Sequence, residues 1–262
     1  MKLAPLNPSL CASLLLLCLA GSCKEEVFTP EARPLLEQYF PLELNRPAYY
    51  QVDSVVLRAV VGGITYDSSR SEVRETLVET FTAADGTTVY RGERWVRRDD
   101  TQPFRFEQTF TVSRDARAAT RSEGNLTFTK LTAPIREGSS WDGNAAFDER
   151  RSVRVGGEFL DVYQGWEYRY TDLDGLDTLK AGTELDSVVT VTQAEILDLL
   201  IDLRVAYERY APGLGLVERF VDARHTQCIS CCNRNTEACS PLPWDEKAEK
   251  GYIIREELIR RD

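Results

Sequence analysis

Four cysteines near the C-terminus, Cys228, Cys231, Cys232 and Cys239, are the side chains whose type and spacing point most directly to chemistry, and the single histidine, His225, lies just upstream. Two readings fit this cluster. In an oxidising compartment the four pair into disulfides. A bond between the neighbours Cys231 and Cys232 would close a strained ring far from usual disulfide geometry. That leaves Cys228–Cys231 with Cys232–Cys239, or Cys228–Cys232 with Cys231–Cys239. Either set staples the loop around Asn233–Glu237, contributing on the order of 2–3 kcal/mol. The other reading is a metal centre, because Cys-x-x-Cys has zinc-like spacing and His225 could complete the ligand set. A second Cys-x-x-Cys is missing and thiolates last poorly in oxidising surroundings, so disulfides are expected, with no metal and no cofactor. A redox Cys-x-x-Cys would sit in a thioredoxin-like βαβ pattern, which is not found around these residues.

Carboxylates offer a second chemistry. Asp142, Glu158, Asp161 and Glu167 lie close in sequence to Trp141 and Trp166. A glycan hydrolase needs two carboxyl groups, one protonated and one ionised, and aromatic rings stack on sugars. The plainer reading puts the tryptophans in the core and the acids on the opposite, solvated face. The run Asp172-Leu173-Asp174-Gly175-Leu176-Asp177 suggests a calcium loop, but Tyr170 stands where a further ligand belongs and the closing glutamate is missing. A hairpin turn is expected there instead. Gly213-Leu214-Gly215 lacks the third glycine of a phosphate loop. A Ser-His-Asp triad would have to recruit His225, beside the cysteines and far from any nucleophile elbow. No catalytic residue is assigned, and a non-enzymatic role is expected.

The first residues set the compartment. After Met1 and Lys2, Leu10–Ala20 forms an apolar run too short to span a bilayer but right for a signal-peptide core. Ala20-Gly21-Ser22-Cys23 resembles a bacterial lipobox, in which cleavage precedes an acylated cysteine. Residues 1–22 are then a lipoprotein signal peptide, and Cys11 and Cys18 are discarded with it. Lys24-Glu25-Glu26 resembles the short surface-export signal of Bacteroidetes-type lipoproteins, so the expected location is the bacterial outer membrane, held by lipid at Cys23, at the cell surface or otherwise on the periplasmic leaflet. Two or more acyl chains anchor a protein stably.

Composition narrows the partners. The 262 residues carry 32 Lys and Arg against 42 Asp and Glu, a formal charge of −10. No basic field is available to neutralise phosphates, which argues against nucleic acid. One histidine removes any two-His zinc hydrolase site. With 28% charged and 10% aromatic residues the chain reads as an ordinary folded protein.

These side chains must be positioned mostly by strands. Residues 23–46 read as a lipidated tether and lead-in, with helical spacing of Leu35, Leu36 and Tyr39 over Glu31–Phe40. From Tyr49 the period becomes two, and 47–262 reads as a single antiparallel β domain. Phe104, Phe106, Phe110 and Val112 alternate with polar residues, as do Trp166, Tyr168 and Tyr170. Further strands are expected at Ser54–Val61, Val73–Thr82, Thr88–Arg97, Asn125–Leu131, Ser187–Gln193, Leu216–Asp222 and Gly251–Ile259. Turns are expected at Asp85-Gly86, Glu123-Gly124-Asn125, Asp174-Gly175 and Pro212-Gly213. Short spacings favour hairpins over βαβ crossovers. Thr192-Gln193-Ala194-Glu195 has the form of a capping box, and Ile196, Leu199, Leu200, Leu203 and Tyr207 recur at helical spacing, which predicts a helix over 195–208. The expected fold is mainly β, an antiparallel sheet curved into a half-barrel or sandwich, with one or two helices.

Several runs resemble uncharacterised Bacteroidetes-type outer-membrane lipoproteins: Tyr39-Phe40-Pro41-Leu42, Tyr50-Gln51-Val52-Asp53-Ser54, Lys130-Leu131, Glu137 to Asn144, Tyr210 to Leu216, and Lys247 to Ile253. That resemblance implies a strand around Tyr207–Tyr210, against the helical spacing. More remotely the pattern is similar to the half-barrel of bacterial lipoprotein carriers, which implies a curved sheet around an apolar groove. In such a groove Trp95, Phe104 and Phe106 would line the ligand site or fill the core. The implied function is binding of a lipid or other apolar ligand, or of an envelope protein. A carboxylate-dependent glycan hydrolase and a structural subunit of an envelope complex are the alternatives.

Overall fold

Strict alternation of side chains, one inward and the next outward, builds almost the whole molecule. The computed structural model describes residues 35–179, 182–197 and 200–262. Among them a short helix, α1 (Leu36–Tyr39), precedes β1 (Ala48–Val60), β2 (Gly63–Thr82), β3 (Thr88–Arg97), β4 (Arg105–Arg114), β5 (Ala118–Glu123) and β6 (Leu126–Thr132). There follow β7 (Ser140–Trp141), β8 (Val153–Val155), β9 (Glu158–Leu160), β10 (Tyr168–Thr178), β11 (Glu184–Ile196), β12 (Asp202–Ala211) and β13 (Gly215–His225). Three more short helices, α2 (Ile229–Cys232), α3 (Thr236–Cys239) and α4 (Trp244–Lys247), lead into β14 (Lys250–Arg261).

Twelve strands form one sheet in the order β6-β5-β4-β3-β2-β1-β14-β13-β12-β11-β10-β7, and β8 with β9 makes a separate hairpin. The fold is mainly β, and the antiparallel sheet is nearly closed into a barrel. Its central join is β14 between β1 and β13, where Ile254 pairs with Ser54 on one side and Val221 on the other. The two ends of the sheet meet through side chains and loop backbone. Trp141 Nε1 donates to the Thr129 carbonyl at 2.8 Å, Thr129 N donates to the Gly143 carbonyl at 2.9 Å, and the Tyr170 hydroxyl both donates to Thr132 O and accepts from Thr132 N. Gly143 is needed at this seam, because a Cβ there would lie 2.4 Å from the Tyr168 ring.

The turns explain the hairpins. Gly124 and Asn125 both have positive φ, 57° and 62°, as a tight two-residue turn between right-twisted strands requires. Asp85-Gly86 and Pro212-Gly213 turn as expected. Leu36 and Tyr39, in the expected lead-in, are buried in the core with Tyr168, Tyr170 and Tyr210. Residues 31–34 of the predicted N-terminal helix lie outside the described residues, and Leu35 is exposed.

Two local expectations are corrected. The helix over 195–208 is not formed: β11 runs to Ile196 and β12 begins at Asp202. In β12 the inward row is Ala206, Glu208 and Tyr210. A charge in the middle of that row hides the two-residue period, and the leucines then mimic a helical one. Asp174-Gly175 is not a hairpin turn either. It sits inside β10, where the register with β11 slips between Tyr170 and Asp177, and the chain reverses only after Leu179, whose N–H reaches Thr183 O. The Asp172 carboxylate accepts from the Asp174 amide, and Asp177 pairs with Arg209.

Candidate functional site

The barrel interior contains a continuous ion-pair network. Alternation aims Glu75 of β2, Arg94 of β3, Arg121 and Glu123 of β5, Lys130 of β6, Glu208 of β12, Arg219 of β13 and Glu256 of β14 at the lumen. Arg121 grips Glu75 with two hydrogen bonds of 2.7 and 2.8 Å and turns its Nε to Glu123 at 2.8 Å. Arg94 bridges Glu75 at 2.7 Å and Glu256 at 2.8 Å, and its Nε reaches Glu107. Across the lumen, Lys130 Nζ and Arg219 Nε share Glu208 Oε1 at 2.8 and 2.7 Å, and the Tyr210 hydroxyl donates to Glu208 Oε2 at 2.6 Å. Arg121 also lies over the Phe110 ring at 3.9 Å.

Burial alone would neutralise these groups, but their neighbours prevent it. Burial raises the Glu75 carboxyl, and Arg121 and Arg94 outweigh it, holding the group down to about 2. Burial likewise opposes ionisation of Glu208, and Lys130 and Arg219 overcome it, bringing the carboxyl to about 2. Glu123 is held still lower by Arg121 and Arg219 against the same desolvation. Burial lowers the Lys130 ammonium, and Glu208 offsets part of that shift.

Above this ionic floor lies a cavity of about 500 Å³. Its walls include the aliphatic row Val52, Val73, Val96, Val221 and Ile254 and the rings of Phe128 and Trp166. Glu75 and Arg121, on the other flank of the network, border a smaller cavity of about 90 Å³. Gln193 also borders the large cavity. It occupies the irregular step of β11, where Thr192 pairs with Tyr207 and Ala194 with Ala206, so that Gln193 is the extra residue of a bulge. Gln193 is 1% exposed and its Nε2 has no hydrogen-bond partner. Such orphaned buried donors are rare in folded proteins.

The aromatic side chains expected at a groove lie elsewhere. Between β3 and β4 the register skips Glu107, with Arg94 opposite Gln108 and Trp95 opposite Phe106. That extra residue flips the face of everything before it. Phe110 and Val112 point inward, whereas Phe106 is 52% exposed and packs edge-on against Trp95 on the outer surface. Phe104 stacks there under Arg74 and Arg97. The lumen floor is ionic rather than apolar.

Cys23 lies outside the described residues. Of the four C-terminal cysteines, the structure joins Cys228 to Cys239, with Cα atoms 5.9 Å apart, and leaves Cys231 and Cys232 as thiols. Neither expected pairing is formed. The helical turn α2 carries Cys231 and Cys232 on adjacent residues, while Cys228 and Cys239 meet as fully buried side chains. His225 is not brought to the sulfurs: its Nδ1 lies 2.9 Å from Asp202 Oδ1. The acids considered for glycan chemistry are dispersed too. Asp142 accepts from the Asn144 amide, Asp161 from the Ser152 hydroxyl, and Glu158 and Glu167 are exposed.

No family model matches this chain, and no curated protein does. Among solved structures it is similar to a protein of Bacteroides fragilis described as exported with a YmcC-like fold, at 10% identity and a TM-score of 0.42, over 86% of this chain and 98% of that one. It is also similar to a protein of Parabacteroides distasonis described as a lipoprotein, at 10% identity and a TM-score of 0.38, with the same coverage of both chains.

Sequence reasoning missed the whole luminal network and Gln193. A signal was present. Val73-x-Glu75-x-Leu77, Ala206-x-Glu208-x-Tyr210, Val217-x-Arg219-x-Val221 and Ile254-x-Glu256-x-Leu258 each set one charge in the middle of an inward apolar row.

Proposed function

We propose that this protein is a lipid-anchored protein of the bacterial outer membrane that binds a small neutral amphipath inside its barrel and performs no chemistry on it. The anchor rests on the apolar run Leu10–Ala20 and on Ala20-Gly21-Ser22 before Cys23. Binding rests above all on one observation, the unpartnered Nε2 of Gln193 beside a cavity of about 500 Å³. A ligand oxygen there would supply the missing acceptor. Aliphatic walls suit a hydrocarbon part. Among the described residues the floor sets Arg94, Arg121, Lys130 and Arg219 against Glu75, Glu123, Glu208 and Glu256. Each of these cations is already paired with a carboxylate, and Arg94 with Glu107 as well, so an ionic head would meet no uncompensated cation, and a hydroxyl or carbonyl head fits better. Glu75 and Glu208, held down to about 2, stay ionised at neutral pH. This supports binding over hydrolysis, which needs a protonated carboxyl.

Native mass spectrometry of the detergent-solubilised protein with monooleoylglycerol as probe tests this reading. One probe molecule per chain is expected. Gln193→Leu should weaken binding about tenfold, the cost of one hydrogen bond, and Val221→Trp, which fills the cavity, should abolish it. No binding, or equal binding by all three proteins, overturns the reading. Cys23→Ser should move the protein from the membrane pellet to the soluble fraction, and retention in the pellet would contradict the lipid anchor.

A further inference from the structure

The cysteine loop joins β13 to β14, away from the luminal network, and has its own geometry. Cys231 Sγ lies 3.7 Å from Cys239 Sγ, and the sulfurs of Cys231, Cys232 and Cys239 all fall within 4.8 Å of one another. Cys228 is outside that trio, but its bond to Cys239 holds the fourth sulfur next to it. A tetrahedral zinc site with Zn–S bonds of about 2.3 Å has sulfur–sulfur edges of about 3.8 Å. The Cys231–Cys239 separation is already that edge.

The loop is held in place by more than its disulfide. Glu249 accepts from the amides of Gln227 at 2.7 Å and Ser230 at 2.6 Å, and Thr226 Oγ1 accepts from Cys228 N at 2.9 Å. The Asn235 side chain caps α3 through Ala238 N, and Arg234 N donates to Cys228 O at 2.7 Å. With Asn235 N donating to Cys232 O and Cys239 N to Asn235 O, these bonds hold the loop backbone at Cys228, Cys232 and Cys239 in addition to the disulfide. Cys231 and Cys232 are half-buried, which leaves a metal ion a route in.

We propose that Cys228, Cys231, Cys232 and Cys239 form a tetrathiolate zinc site that is masked while the Cys228–Cys239 disulfide is closed and opens on reduction. A dithiol reductant gives two electrons and two protons to the disulfide, leaving two cysteine thiols and its own cyclic disulfide. Zinc then displaces four protons from the four thiols, forming a zinc tetrathiolate of net charge −2. His225, engaged by Asp202, takes no part.

The test uses the intact protein in detergent, reduced with a water-soluble phosphine that does not compete for zinc, and cobalt(II) followed by zinc(II) as probes. The reduced protein should take up one cobalt ion with the absorption of a tetrahedral thiolate complex, zinc should displace it, and the oxidised protein should show neither. Cys231→Ser and Cys232→Ser, both outside the disulfide, should each weaken uptake at least tenfold, and His225→Ala should leave it unchanged. Failure of the reduced protein to bind cobalt overturns the proposal. So does uptake by the oxidised protein, insensitivity to both cysteine substitutions, or loss of uptake in His225→Ala.

Discussion

The two sides of the barrel interior are built from the same alternating strands but filled by opposite means. Around β10 the lumen holds rings: Trp141 lies 4.8 Å from Tyr170 and 5.9 Å from Tyr168, and Trp166 packs on Tyr168. Their polar tips are satisfied by neutral partners, such as Trp166 Nε1 on the Val162 carbonyl. Across the lumen, β2, β3, β5, β12, β13 and β14 supply guanidinium and carboxylate groups that satisfy one another. Burial alone therefore does not dictate apolar side chains. What burial demands is that each buried group be matched, and the ionic side meets that demand through mutual pairing. The cavity lies where the two solutions meet, and there one donor, on Gln193, is unmatched.

The largest effect is expected on the ionic side. Glu208→Ala strips the shared partner of Lys130 and Arg219, and loss of one member of a buried pair costs about 3–5 kcal/mol. Denaturant unfolding should record that loss. Converting Lys130→Met together with Glu208→Leu should recover the part owed to the ammonium, while Arg219 keeps Glu123 at 3.7 Å and Glu256 at 3.6 Å. A double variant as unstable as the single one would show that the pair does more than satisfy itself.

Acid should separate the two sides next. Glu75 and Glu208 have folded values near 2 against an ordinary 4.5. The unfolded chain therefore binds more protons than the folded one in this window, and stability rises with pH. The contribution is fully present above about pH 4.5 and is lost as pH falls through about 2. On the aromatic side, burial pushes the Tyr170 hydroxyl up to about 12, so it is indifferent to acid. Thermal melts between pH 7 and pH 2 should fall most steeply below pH 4.5, and Glu208→Gln should flatten part of that slope.

Tyr170→Phe leaves the Thr132 amide and carbonyl without their 2.9 and 2.7 Å partner, at about 1–3 kcal/mol. Hydrogen exchange at Thr132 should quicken as the seam loosens, while the ionic side keeps its protection. Gln193→Leu should change stability least, by about 0.5 kcal/mol or less or with a slight gain, because the amide it removes has no partner to lose. A large destabilisation would mean that Gln193 serves the fold rather than a ligand.

Most of the architecture was legible in the sequence. β3 was expected at Thr88–Arg97 and spans those residues, and the turns at Asp85-Gly86, Gly124-Asn125 and Pro212-Gly213 follow from residues that tolerate positive φ or fix a reversal. Trp166, Tyr168 and Tyr170 are buried on one face, as their spacing implied. The misreadings share a cause. Two-residue periodicity identifies the inward face by its apolar residues, so a strand with Glu208, 0% exposed, in its inward row reads as irregular. The bulge at Glu107 likewise lets one apparent row, Phe104 to Val112, divide between outside and inside. Gln193 was visible as the last residue of the expected strand Ser187–Gln193 and as part of a capping box for a helix that does not form. Its role depends on a bulge whose position no spacing rule states.

A crystal structure of the intact protein purified from native membranes tests most directly the proposal that the lumen binds a small amphipath. Continuous non-protein density is expected in the cavity above the Arg94–Glu256 pair, with an oxygen within hydrogen-bond distance of Gln193 Nε2. A cavity filled only by ordered water, or closed by side chains with Gln193 paired inside the protein, would contradict it.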